Sequence, residues 1–87
     1  MKLMIAVIRD VDDEPLTGRL TERGFRITRM ASTGGFLRKG NVTFLIGLPD
    51  EKVDEVIEVF RQTCSPAESG HHRATLFLVD SPFYQQI

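Results

Sequence analysis

The chain has no tryptophan, one cysteine and one tyrosine, and its 11 cations against 12 acids leave a net charge of −1. Each scarcity excludes something. One cysteine cannot close an internal disulfide, so a reducing compartment is the natural setting. Near-zero net charge removes any bulk attraction to nucleic acid. The sequence also lacks the stacked aromatic row on which single-strand binders lay their bases. The apolar run over residues 2–8 ends at Arg9 and Asp10 and is too short for a signal h-region or a membrane span. We therefore expect a cytoplasmic protein that binds neither nucleic acid nor membrane. Apolar residues make up 41% and charged residues 26%, which excludes a disordered chain. At 87 residues we expect one domain, 1–87, small enough to lean on oligomerisation.

Charge is distributed unevenly. Arg19, Arg23, Arg26, Arg29, Arg38 and Lys39 stand against one acid, Glu22, whereas Asp50, Glu51, Asp54, Glu55 and Glu58 stand against Lys52. The first segment suits an anion and the second does not. The acids of the second segment read as a wet helix face, with Glu58 and Arg61 spaced to pair.

The apolar run over 2–8 reads as a strand buried on both faces. Asp10 to Asp13 offers N-cap candidates, Pro15 suits a first helical turn, and Leu16 and Leu20 share a helix face. Gly24 is placed as a helix stop. Phe25 to Ser32 reads as a second strand, with Phe25 and Ile27 on one face and Met30 on the other, a mixture that fits an edge strand or a strand lining a site. Residues 33–41 form a glycine-rich loop, and Val42 to Leu48 a third, strongly apolar strand. A second helix starts near Pro49 and Asp50 and carries Val53, Val56, Ile57 and Phe60 at helical spacing. Residues 65–73 are a polar loop, Ala74 to Val79 a fourth strand, and 83–87 a tail.

The order β-α-β-β-α-β specifies an α+β, ferredoxin-like fold: a four-stranded antiparallel sheet with strands 1 and 3 central and two helices on one face. Strands 1 and 3 alternate apolar residues on both faces, Leu3, Ile5 and Val7 against Met4, Ala6 and Ile8. Helices cover only one of these faces. The other therefore needs a cover, most simply further copies of the chain, with ligand clefts between them.

The glycine-rich loop combines Gly34, Gly35 and Gly40 with Phe36, Leu37, Arg38 and Lys39. The spacing of Gly35 and Gly40 echoes a P-loop, but Asn41 and Val42 stand where Lys and Ser/Thr are required, and a strand follows where a helix is needed. ATPase or GTPase chemistry is thereby excluded. Two readings remain: a hairpin loop with glycines for positive φ, or a backbone nest for phosphate with Phe36 and Leu37 against a base. Arg26 and Thr28 share a parity and project from one strand face, either as solvated edge residues or as donors to a ligand at the mouth of the loop. Cys64, His71 and His72 lack the spacing of a metal site, and no nucleophile–base–orienter set is present. We expect no catalysis, cofactor or metal.

The segments Met1 to Asp10 and Phe25 to Gly47, together with Gln62 to Cys64, Ala74 to Phe77 and Gln86, resemble the PII-like cyclic-di-AMP receptor family over nearly the whole chain. The resemblance implies a bacterial, non-catalytic signal receptor, homotrimeric, holding cyclic di-AMP in clefts between subunits. By matching position it assigns Arg26, Thr28, Gly35, Phe36, Leu37, Asn41 and Gly47 to one adenine and its phosphate, and adds Phe77 and Gln86. The chain departs from the family in its short 65–73 connection, where members carry a much longer loop. Long loops of this kind contact partners and change shape on ligand binding. The alternative is a structural or protein-interaction trimer, with an unidentified protein partner, that lost its ligand along with that loop.

Overall fold

The computed structural model describes residues 1–31, 40–64 and 74–80. Its elements are β1 (Lys2–Arg9), α1 (Asp13–Glu22), β2 (Ile27–Ala31), β3 (Asn41–Leu48), α2 (Val53–Thr63) and β4 (Ala74–Asp80), with a 3₁₀ turn leading into each helix at Asp10–Asp12 and Asp50–Lys52. The four strands form one sheet in the order β2-β3-β1-β4, and every neighbouring pair is antiparallel. The ferredoxin-like α+β expectation holds, with the two most apolar strands at the centre.

Strand alternation assigns each side chain to a face. On the helix-covered face lie Met4, Ala6 and Ile8 of β1 and Phe44, Ile46 and Leu48 of β3, all buried. Leu16 and Leu20 of α1 and Val56, Val59 and Phe60 of α2 close over them. Burying side chains of this size contributes roughly 1.5–3 kcal/mol each. Val59, one turn after Val56 and next to Phe60, belongs to this stripe as well as the four positions expected from spacing. Cys64 follows α2 directly, its N–H bonds to the Phe60 carbonyl at 3.0 Å, and it is buried in the core. His71 and His72 lie outside the described residues.

The start of α1 differs from the expected N-cap. Asp12 makes no side-chain cap bond to the helix; it is buried, with Oδ2 3.8 Å from Arg9 Nε. The preceding 3₁₀ turn has already redirected the chain, so the acidic cluster opens the turn rather than capping the helix. Asp13 instead accepts from Thr17 Oγ1 at 3.1 Å and pairs with Arg29 Nη1 at 2.7 Å, tying α1 to β2.

The end of α1 follows the glycine signal. Gly24 has φ +88°. Its N–H bonds to the Thr21 carbonyl at 3.0 Å, and the Phe25 N–H to the Leu20 carbonyl at 3.1 Å. These paired bonds are a Schellman closure. Phe25 then packs against the core, and β2 begins at Ile27, two residues later than expected.

Lys2 and Asp80 face each other across the β1–β4 ladder and form an ion pair. The hydrogen bond from Lys2 holds the Asp80 carboxyl below its ordinary range and raises the Lys2 ammonium above its own. A lowered carboxylate pKa adds stability above the unfolded-state pKa, and loses it as pH falls through the folded value. A raised ammonium pKa adds stability below the ordinary Lys range, lost as pH rises through the folded value. Asp80→Asn should therefore lower the thermal midpoint slightly at neutral pH and low salt. The difference from the parent should close in acid below the carboxylate range and narrow in high salt. Melting curves across pH check this; a constant difference at every pH would contradict it.

Candidate functional site

The face of the sheet away from the helices carries the other half of the alternation. Strand register arranges it in rows. Phe77, Ile5, Leu45 and Thr28 form one row from edge to edge. Thr75, Val7, Thr43 and Met30 form a second. Val79, Leu3 and Gly47 lie in a third, and Arg9 stands opposite Asn41 at the loop end. This open face is apolar and, among the described residues, uncovered. Met30, Phe77 and Val79 are 46%, 53% and 47% exposed.

The described candidate residues come together here. Thr28, Asn41, Gly47 and Phe77 all belong to the open face by register. Arg26 precedes β2 by one residue and shares the parity of Thr28. The Schellman closure accounts for this, because sending Phe25 inward leaves Arg26 outward, and Arg26 is exposed. Gly35, Phe36, Leu37 and Gln86 lie outside the described residues.

The basic segment resolves into distinct roles. Arg29 is held by Asp13, and Arg23 Nη1 lies 3.5 Å from Glu55 Oε2. Arg26 has no ion pair among the described residues and keeps its guanidinium available. On α2, Glu58 pairs with Arg61 at 3.3 Å and Glu55 with Lys52 at 3.4 Å, the solvated face that the spacing implied. Among the described residues no group of three or more His, Cys, Asp or Glu could hold a metal ion.

Two glycines frame β3 differently. Gly40 has φ +93°, and its carbonyl accepts the Asp10 N–H at 2.7 Å, fixing where the loop rejoins the sheet. Gly47 is exposed on the open face and has no positive φ. A Cβ built there would meet Met1 Cε at 3.7 Å, an ordinary contact. The backbone of Gly47 therefore does not require glycine. Its bare surface is a flat approach for something lying on the sheet.

A family model describing cyclic-di-AMP receptors matches residues 1–83. The chain belongs to the cyclic-di-AMP receptor family. Gln86 falls beyond the matched residues. Among solved structures, that of a functionally unknown protein from Pediococcus pentosaceus ATCC 25745 is similar, with a TM-score of 0.80 and 29% identity over 99% of this chain and 96% of that one.

The two glycines should separate in mutagenesis. Gly40→Ala should cost about 1 kcal/mol or more, because alanine is strained at that φ. Gly47→Ala should leave the unfolding free energy within about 0.5 kcal/mol of the parent. Denaturant titrations of both variants decide; a large loss at Gly47 would mean that its fold, not a ligand, requires glycine.

Proposed function

We propose that this member of the cyclic-di-AMP receptor family is a non-catalytic receptor that binds cyclic di-AMP in clefts between the subunits of a homotrimer. The observation that carries this reading is that Arg26, Thr28, Asn41, Gly47 and Phe77 share one sheet face that is uncovered among the described residues. Their chemistry matches the ligand. The Arg26 guanidinium offers paired N–H donors to a phosphate. The Asn41 amide both donates and accepts, as an adenine edge requires. Gly47 leaves room for a flat ring, and the half-exposed Phe77 offers a stacking face. Gly35, Phe36, Leu37 and Gln86 complete the proposed set on the strength of the family resemblance.

The placing of Phe77 supports an intersubunit cleft. Phe77 and Thr28 share a row but occupy opposite edge strands, so three strand spacings, about 14 Å, separate them. One adenine cannot reach both within a chain. Setting the β4 edge of one copy beside the β2 edge of the next brings them together. Association would also complete the cover of the apolar rows through Leu3, Ile5, Val7 and Leu45, which are only partly buried. Nothing in the set activates a nucleophile, so the bound dinucleotide is held and not turned over.

Two measurements test the reading. Calorimetry with cyclic di-AMP should show saturable binding, and Arg26→Ala should weaken it by about 1.5–3 kcal/mol, the value of a charged hydrogen bond. No heat and no thermal shift at saturating ligand would sink the receptor reading and favour a trimer without a ligand. Light scattering of the purified protein should give three times the chain mass of 9.8 kDa. A stable monomer would remove the cleft.

A further inference from the structure

Thr43 interrupts the apolar run of β3, and nothing in the site described so far uses it. It lies on the open face, between Asn41 and Leu45 in the alternation, with Gly47 beyond. It is only 6% exposed, and its Oγ1 is buried without a hydrogen-bond partner. A hydroxyl in that position forfeits the bonds that water would give it. Its neighbours across the two ladders, Val7 and Met30, have apolar side chains and offer it no strong partner. Valine has nearly the same shape and an equal liking for a strand, so packing alone does not explain a threonine here.

The position is the informative part. A ligand held at Asn41 lies beside Thr43, the next residue along the same face of β3. Two residues along a strand span about 6.7 Å, within the reach of one nucleoside. Thr28 borders the same track from β2. Met30 sits directly opposite Thr43, and its unbranched thioether chain is flexible and half-exposed, able to shift away from the hydroxyl.

We infer that Thr43 is a further binding residue of this site: its Oγ1 hydrogen-bonds a polar edge of the nucleoside, and Met30 moves aside to admit it. The inference rests on the cyclic-di-AMP reading above. A hydroxyl both donates and accepts, so it pairs with a ring nitrogen, an exocyclic amine or a ribose hydroxyl. The ligand supplies the partner that the unliganded chain lacks.

The test sets Thr43→Val and Thr43→Ser against the parent, using cyclic di-AMP titrations, melting without ligand, and light scattering. Thr43→Val should weaken binding about tenfold. Its unliganded melting temperature should equal or exceed the parent's, because an unpartnered polar group has been removed. Its assembly mass should be unchanged. Thr43→Ser should recover most of the affinity. Unaltered affinity in Thr43→Val, while the parent binds, overturns the inference and leaves the receptor reading standing. A lower unliganded melting temperature, or failure to fold, means that the hydroxyl has a structural partner and also overturns it. Loss of assembly together with affinity assigns Thr43 to the subunit interface instead. No binding by the parent removes the receptor reading and this inference with it.

Discussion

Two central strands that are apolar on both faces, with helices over only one of them among the described residues, impose the constraint from which the other features follow. Met4, Ala6, Ile8, Phe44, Ile46 and Leu48 are buried because α1 and α2 close over them. Leu3, Ile5, Val7 and Leu45 have the same hydrophobicity and no such cover among the described residues. Half of the sheet's apolar alternation is therefore only partly buried. In the proposed trimer its burial would be completed on association, and a small domain has reason to gain stability that way. In that proposed assembly the same face is where a ligand would be shared between copies.

The local devices that position the site are modest and few. The Schellman closure at Gly24 sets the phase of β2, turning Phe25 into the core and Arg26 out of it. Asp13 neutralises Arg29 on the helix side of the same strand. These two features divide a basic stretch into a structural cation and an available one. At the other end of the β2–β3 connection, Gly40 returns the chain at positive φ and delivers Asn41 opposite Arg9. Without the correct phase at both ends, Thr28 and Asn41 would not share a face.

Much of this was legible in the sequence because it depends on period-two alternation and glycine placement, which are local signals. The element order, the central strands, the edge character of β2 and the helix stop at Gly24 all follow from such signals. What was not legible depends on tertiary choice. The acidic cluster at Asp10 to Asp13 has the composition of a cap. Yet a 3₁₀ turn precedes the helix, and Asp12 is buried beside Arg9. Cys64 follows a helix and precedes a polar stretch, so its sequence neighbours could not reveal that the helix end tucks it into the core. Val59 does not stand out in the sequence because Val53, Val56, Ile57 and Phe60 already satisfy the helical period. For the candidate site, parity placed Arg26 and Thr28 together, whereas Asn41, Gly47 and Phe77 needed the register. Gly35, Phe36, Leu37 and Gln86 lie outside the described residues and stand on the family resemblance.

Glycine and threonine in β3 tell the same story from opposite sides. A central strand under selection for stability alone would fill every open-face position with a β-branched or larger apolar side chain. At Gly47 the chain forgoes a side chain that the backbone and its surroundings would accept. At Thr43 it keeps a hydroxyl whose hydrogen bonds are unmade. Neither choice is demanded by the stability of the lone chain, and both lie on the face where Arg26 keeps its charge uncompensated among the described residues. Separate compromises that fall on one surface are best explained by one occupant of that surface. The apolar rows argue for another protein copy across most of the face. The bare glycine, the buried hydroxyl and a guanidinium with no ion pair among the described residues fit the polar, flat and anionic occupant proposed along β2 and β3.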